Sequence, residues 1–153
     1  MRRIPSTPEG KTALEQELRR LREVVRPQII EDLATARAHG DLRENSEYED
    51  AKHRHSLNEG RIQEVESILG RIEVIDPSEG SGDTIRFGAT VRMLLDGEDE
   101  RVYKLVGEHE SDTKKLRISV TAPLARAIIG KTVDDIIYLG DDSDVEILEI
   151  RWE

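Results

Sequence analysis

The fold of this 153-residue chain is decided by residues 48–72, which read YEDAKHRHSLNEGRIQEVESILGRI. One series of positions in this stretch, spaced alternately three and four apart, contains mostly apolar residues: Tyr48, Ala51, His55, Asn58, Ile62, Val65, Leu69 and Ile72. Such heptad spacing is typical of a helix that packs along a partner helix in a coiled coil. The polar pair His55 and Asn58 lies mid-series, where it weakens burial and can fix the register.

A second amphipathic helix is predicted upstream, between Thr12 and His39. Its apolar residues recur at the same steps: Leu14, Leu18, Leu21, Val25, Ile29, Leu33 and Ala36. Because only a few residues around Gly40 separate the two helices, we expect an antiparallel hairpin. Pairing Leu14 with Ile72 places the fold-back point near residue 43. Pro27 removes one backbone hydrogen bond, so a local bend is expected there.

The second half of the chain has a different period. Residues 76–82, DPSEGSG, contain turn formers and no aliphatic residue, which indicates a linker. Five short runs rich in branched aliphatics follow, and we expect them to be strands: residues 89–95, 101–106, 117–121, 136–139 and 145–150. Residues 123–129 predict a short helix that begins with proline and ends at Gly130.

The predicted fold class is therefore α+β, with two domains. Residues 1–76 form the helical hairpin, residues 77–84 the linker, and residues 85–153 a small, mostly β domain. A single hairpin already pairs both helical seams, which favours a monomer.

Composition excludes several classes of function. The chain has 23 Lys and Arg against 33 Asp and Glu, a net charge of -10, so its overall field repels nucleic acid and anionic membranes. Cysteine is absent, which excludes disulfides, thiolate zinc sites and a cysteine nucleophile and indicates a reducing, cytoplasmic setting. No apolar run is long enough to span a membrane, and five aromatic residues are too few for an aromatic-lined cofactor cavity.

The expected tip of the hairpin is strongly acidic. Residues 41–50, DLRENSEYED, contain five carboxylates and one arginine. One interpretation is structural: Asp41 is the N-cap of the second helix and Glu44, three residues on, completes a capping box. The other is functional: two carboxylates within one turn can share a Mg²⁺ whose remaining ligands come from a partner. The two interpretations are compatible.

Other candidate metal ligands are weaker. His53 and His55 are two residues apart, so on a helix they point to different faces. Asp141, Asp142 and Asp144 lack the glycine and the final glutamate of an EF-hand loop, which favours a solvated turn.

The residues around the tip resemble a known signature. Residues 36–48, ARAHGDLRENSEY, and residues 59–62, EGRI, closely resemble the GreA/GreB family of bacterial transcript-cleavage factors, GreA more than GreB. The resemblance continues through residues 87–91, FGATV, and residues 123–131, PLARAIIGK, and so runs the length of the chain.

The resemblance implies a transcription elongation factor that binds core RNA polymerase in elongation complexes. In backtracked complexes its tip would enter the secondary channel and stimulate hydrolysis of the nascent RNA 3′ end, rescuing arrested complexes. The chain would then not be an enzyme and would bind no cofactor alone, because the polymerase owns the Mg²⁺ site. The family's essential tip acids fall on Asp41 and Glu44, which would help the polymerase to hold a second Mg²⁺.

Further residues are implicated around the tip. We expect four to shape or support it: Asn45, Ser46, Glu47 and Tyr48. Four basic residues are candidates for contact with RNA or the channel wall: Arg37, Arg43, Lys52 and Arg54. For each of these four, ordinary helix-surface charge pairing is the favoured alternative.

The resemblance also implies a C-terminal domain similar to FKBP-type prolyl isomerases that docks on the rim of the polymerase channel. We expect docking without isomerase activity, because that pocket is aromatic-lined and this half has few aromatics. The docking residues would be Thr121, Ala122, Pro123 and Arg126, with Ala122 standing where the family usually has serine.

Two other functions remain open on the sequence. One is a channel-binding factor that modulates the polymerase without cleavage. The other is a coiled-coil chaperone or adaptor in which the acidic tip only caps a helix. A stand-alone nuclease is disfavoured, because the chain offers too few ligands for a metal pair.

Overall fold

The computed structural model describes residues 2–40, 45–140 and 142–153. Backbone contacts divide the chain into two compact units, residues 12–71 and residues 2–11 together with 72–153. The α+β class agrees with the prediction. The division does not follow the predicted boundaries, because residues 2–11 and the segment from residue 72 onward belong to the second unit.

The first unit is a helical hairpin. Its elements are α1 (Pro8–Arg20, whose first residues belong to the second unit), a π-helical turn (Leu21–Val25), α2 (Arg26–Ala38) and α3 (Ser46–Arg71). Ion pairs join Glu17 to Arg61 at 2.7 Å, Arg26 to Glu59 at 2.7 Å and Asp32 to Arg54 at 3.1 Å. Because the partner number falls as the first number rises, the arms are antiparallel, as predicted.

The hairpin seam is formed by the predicted apolar residues. Those that are buried are Leu14, Leu21, Ile29, Ala36, Ala51, Ile62 and Val65. Asn58 is also buried, and its side-chain amide donates a hydrogen bond of 3.3 Å to the carbonyl oxygen of Leu21 on the other arm. His55 is less buried than its seam position predicts, and its side chain lies 3.6 Å from Glu59.

A π turn lies immediately before Pro27, the position at which a bend is expected. The N–H of Arg26 donates to the carbonyl oxygen of Leu21, five residues back. Pro27 has no N–H to continue an ordinary helical ladder, and a wider turn is one way in which a helix accommodates that loss. The same Leu21 carbonyl accepts the Asn58 bond, so the π turn and the buried amide meet at one atom.

The second unit is built on a five-stranded sheet. Its strands are β3 (Thr90–Leu95), β4 (Asp99–Val106), β5 (Arg117–Ser119), β6 (Ile136–Tyr138) and β7 (Asp144–Arg151). The order is β5-β4-β3-β7-β6, with β4 and β5 parallel and the other pairs antiparallel. All five strands match the predicted runs.

The core of this unit lies between the sheet and α4 (Pro123–Ile128). Sheet residues Val91, Met93, Leu105, Val145 and Ile147 are fully buried and cluster with Ala125 and Ile128 of the helix. The helix ends as predicted before Gly130, whose φ of +87° favours glycine.

Two short strands were not predicted. β1 (Ile4–Ser6) pairs in parallel with β2 (Ile72–Val74), and Ile72 lies opposite Ile4. The prediction that Ile72 ends the hairpin seam is therefore wrong: its backbone extends into β2 and no longer follows the helical period.

The predicted linker is folded. Residues 77–79 form a 3-10 turn, whose N-cap Asp76 accepts a 2.9 Å hydrogen bond from the N–H of Ser78. Trp152 packs so closely on Gly80 that a Cβ there would overlap the indole ring.

None of the described helices combines the length and apolarity needed to cross a lipid bilayer.

In the second unit, Ser6 and Thr7 form hydrogen bonds with the turn after β4, which contains Gly107, His109 and Glu110. We call this contact the strap. The Glu110 carboxylate accepts from the N–H and hydroxyl of Thr7 and, at 3.0 Å, from the N–H of Gly107. The Ser6 hydroxyl donates to the Thr7 carbonyl and lies 3.1 Å from Nε2 of His109. The strap thus fixes the start of α1 to the sheet unit.

The strap encloses one side of the His109 ring. Nε2 lies at hydrogen-bond distance from the Ser6 hydroxyl, and the His109 tautomer sets which of the two is the donor. Nδ1 is buried without a hydrogen-bond partner in the described part of the chain. Burial lowers the pKa of His109, although Glu110 and Glu108 oppose the shift.

We expect the sheet unit to lose stability as the pH falls below about 6.5, the ordinary pKa of histidine. Below this pH the unfolded chain binds a proton at His109, whereas the folded unit resists protonation because burial lowers the His109 pKa. The free energy of unfolding is therefore fully retained above this pH and decreases below it. Urea unfolding monitored by Trp152 fluorescence between pH 7.5 and pH 5 measures the effect. His109→Gln should reduce the pH dependence and the exposed control His53→Gln should not; equal curves for both would contradict the assignment.

Candidate functional site: the hairpin tip and the docking loop

The two arms are joined at the tip by Asn45. α3 begins at Ser46, and Oδ1 of Asn45 accepts a 3.1 Å hydrogen bond from the N–H of Tyr48, which is N-cap geometry. The side-chain Nδ2 of Asn45 donates a 2.7 Å bond to the carbonyl oxygen of Ala36 near the end of α2. One side chain therefore caps the second arm and ties it to the first.

This geometry corrects one interpretation of the acidic tip. Asn45, and not Asp41, is the N-cap of α3, so the predicted capping box of Asp41 and Glu44 is wrong. Asp41, Arg43 and Glu44 themselves lie outside the described residues. Helix capping therefore no longer accounts for the two acids.

The predicted supporting residues surround this junction. α2 ends at Ala38, and Gly40 leaves the helix with φ +103°. The Arg37 guanidinium lies 5.7 Å from the centre of the Tyr48 ring, a cation–π distance, and Nδ1 of His39 lies 3.5 Å from Glu47. Tyr48 and Glu47 thus contact the last turn of α2, whereas Ser46 is exposed at the first turn of α3.

The candidate basic residues differ in their surroundings. Arg54 donates to Asp50 at 3.0 Å and to Asp32 at 3.1 Å, and these bonds raise its pKa. Arg54 is therefore engaged in ordinary ion pairs on the helix surface. Lys52 is exposed and forms no ion pair with any described residue, and Arg43 lies outside the described residues. No group of three or more potential metal ligands occurs in the described ranges.

The predicted docking residues precede and begin α4. The Ser119 side-chain oxygen accepts a 3.1 Å bond from the N–H of Thr121 and lies 2.6 Å from the Thr121 hydroxyl, so β5 ends in a tight turn. Ala122 occupies the N-cap of α4 with extended backbone angles and no side-chain cap, and Pro123 is the first helical residue. Thr121 and Arg126 are exposed. Ser119 was not singled out from the sequence, because its role depends on where β5 ends.

We expect Ala122→Ser to stabilise the sheet unit by about 0.5–1 kcal/mol. A serine at an N-cap can accept a hydrogen bond from an otherwise unpaired N–H in the first helical turn, and alanine cannot. The change in urea midpoint measures it, with Ala127→Ser inside the same helix as the matched control. A control that gains as much as Ala122→Ser would contradict the capping explanation.

Comparison with known proteins assigns both halves of the chain to one family. The family model described as "Transcription elongation factor, N-terminal" matches residues 4–74, and the one described as "Transcription elongation factor, GreA/GreB, C-term" matches residues 79–151. The chain is 48% identical over 157 residues to Transcription elongation factor GreA of Beijerinckia indica, covering 100% of both chains. It is 47% identical over 156 residues to the same factor of Phenylobacterium zucineum, covering 99% of both.

Among solved structures, GreA factor homolog 1 of Thermus thermophilus is 25% identical, with 98% of this chain and 99% of that one covered and a TM-score of 0.46. The family assignment is carried by the sequence matches. These span both units and the tip between the arms. The chain belongs to the GreA/GreB family of transcription elongation factors.

Proposed function

We propose that this chain binds RNA polymerase in elongation complexes and stimulates cleavage of the 3′ end of backtracked nascent RNA. In this function the hairpin tip enters the secondary channel and acts on the nascent RNA 3′ end indirectly, through the active site of the polymerase. Family membership and relatives named as elongation factors over their full length support the proposal.

The observation that carries the proposal is the bond network of Asn45. It caps α3 and holds the arms together just before and after the four residues 41–44. Asp41 and Glu44 belong to this short connection and are not needed as caps. In the proposed function these two carboxylates act as metal ligands, and the Asn45 bonds fix the two arms on either side of them.

The chemistry of the two acids fits an ion shared with the polymerase. Mg²⁺ binds oxygen ligands and usually takes only one or two protein carboxylates, so the remaining ligands must come from the partner. When bound, a pair of such ions stabilises the leaving oxygen and activates the attacking water. The part played by this chain is to deliver Asp41 and Glu44 together, and the nuclease itself is the polymerase.

The sheet unit supplies the second contact in this proposal. We place its docking surface on Thr121, Ala122, Pro123 and Arg126, at the junction of β5 and α4, and regard the unit as an FKBP-like domain without isomerase activity. Three of these residues, Thr121, Pro123 and Arg126, are exposed, and the hydrogen-bonded Ser119 turn holds the loop that carries the first of them. The protein acts as a monomer.

The proposal is tested by adding the purified protein to a defined backtracked elongation complex with Mg²⁺ and following RNA 3′-end cleavage. Cleavage that requires both polymerase and factor is expected. Binding to polymerase without cleavage would instead indicate a channel modulator. Cleavage of free RNA by the purified protein alone would show that the nuclease activity does not belong to the polymerase.

A further inference from the structure

The edge strand β6 and the segment that leads to it carry an unusual amount of exposed apolar surface. Ten large apolar side chains are exposed in the described residues, and five of them lie within residues 129–139: Ile129, Val133, Ile136, Tyr138 and Leu139. Tyr138 is 74% exposed and Ile136 51%. Such a concentration on one short segment is typical of an interaction site, whereas single exposed apolar residues are ordinary.

The backbone of β6 is also open. The N–H of Leu139 donates to the Ser143 carbonyl at 2.8 Å, and the N–H of Ile147 donates to the Asp135 carbonyl at 3.0 Å. Because bonding residues alternate along an antiparallel ladder, Ile137 also faces β7, and the backbone groups of Ile136 and Tyr138 point away from the sheet. The edge thus offers two N–H and two C=O groups beside two exposed apolar side chains.

The ends of this edge limit what can pair with it. Asp134 has φ +74° and Gly140 has φ +137°, so the extended backbone is confined to residues 135–139. Within that range there is no lysine or proline, two residue types that commonly prevent pairing at an edge. It accommodates a segment of about five residues, at the usual strand rise of 3.3 Å per residue.

The negative charges at the two ends of β6 determine which kind of partner can bind there. Asp134 and Asp135 precede β6, and Asp142 and Asp144 follow it. Within the described part of the chain, none of these four carboxylates forms an ion pair. A second copy of this chain would bring the same acids together, and each copy has a net charge of -10, so self-pairing is opposed.

We propose that the β6 edge binds an extended protein segment as a sixth strand of the sheet. The segment has apolar residues at alternate positions, to cover Ile136 and Tyr138, and a lysine or arginine near each end, to meet the flanking aspartates. This is strand addition, in which backbone hydrogen bonds supply affinity and alternate side chains supply specificity. It is independent of the cleavage function proposed above.

The test uses the full chain and a capped peptide of sequence Lys-Thr-Val-Thr-Val-Thr-Lys. Amide hydrogen exchange measured by NMR should slow at least several-fold at Ile136 and Tyr138 when the peptide is added, because both amides gain a partner. A peptide with glutamate in place of both lysines should give a much smaller effect. No slowing at either amide, or equal slowing with both peptides, would overturn the proposal.

Two variants localise the interaction. Tyr138→Pro removes an N–H that β7 does not use, which an edge strand tolerates, and Tyr138→Lys keeps the N–H but adds a repelling charge. Both should abolish the slowing at Ile136, while Leu57→Lys, at an exposed apolar residue of the hairpin, should not. Concentration-dependent self-association that Tyr138→Pro removes would place a second copy on the edge and so overturn the proposed occupant.

Discussion

Replacing Asp41 with asparagine or Glu44 with glutamine is expected to lower polymerase-dependent RNA cleavage by at least roughly 10- to 100-fold, the loss that follows when a residue that only orients a metal ligand is changed. Each change keeps the size of the side chain but removes the charge that binds Mg²⁺. Neither should alter hairpin stability much, because Asn45 caps α3 and closes the arms.

The measurement is single-turnover RNA cleavage in a backtracked complex, at several Mg²⁺ concentrations, with polymerase binding measured on the same samples. Raising Mg²⁺ should partly restore both variants, since a weakened site fills at higher concentration. Glu49→Gln, an exposed acid in the first turn of α3, is the matched control. Wild-type cleavage by Asp41→Asn and Glu44→Gln would remove the tip acids from the mechanism.

Gly107→Ala is expected to destabilise the sheet unit by about 1–3 kcal/mol, the range for overpacking a closely packed site. A Cβ at Gly107 would overlap the carbonyl oxygen of Pro5 and come within 2.9 Å of the His109 ring. The first strand must therefore move, which also disturbs the bonds to Glu110. The backbone of Gly107 itself is ordinary, with φ -68°, so the effect comes only from close approach.

The comparison is Gly60→Ala, in the middle of α3, where an added Cβ has no atom within 4 Å. That change should stabilise the hairpin by about 0.5–1 kcal/mol, because alanine is the better helix former. Thermal unfolding followed by Trp152 fluorescence and by far-ultraviolet circular dichroism reports both units. Unchanged stability in Gly107→Ala would contradict the close packing of Pro5 against the turn after β4.

The long, periodic elements could be predicted from the sequence, because their signals are local and repeated. Heptad spacing located the two arms of the hairpin, and Gly40 and Gly130 marked helix ends. The five longer β runs became strands. The seam position of Asn58 could be predicted, but its burial and its bond to the Leu21 carbonyl could not, because they depend on the π turn in the other arm.

The features that were missed depend on residues far apart in the chain. β1 and β2 are three residues each and are stable only through pairing across 68 positions, which leaves no local period to detect. The strap joins Thr7 to Glu110, 103 positions apart, for the same reason. The N-cap was misplaced because Asp41 and Asn45 are both good caps, and only the observed start of α3 distinguishes them.

Because β1 pairs in parallel with β2, the chain segments just before and just after the hairpin lie side by side. Residues 12–71 form the first unit, and the segments that precede and follow them pair with each other as β1 and β2. One extra heptad in each arm would preserve both the seam and the pairing at the base, and would extend the hairpin by about 10 Å at 1.5 Å per residue. The length of the hairpin can therefore change, in evolution or by design, in steps of one heptad per arm while the seam and the β1–β2 pairing stay the same.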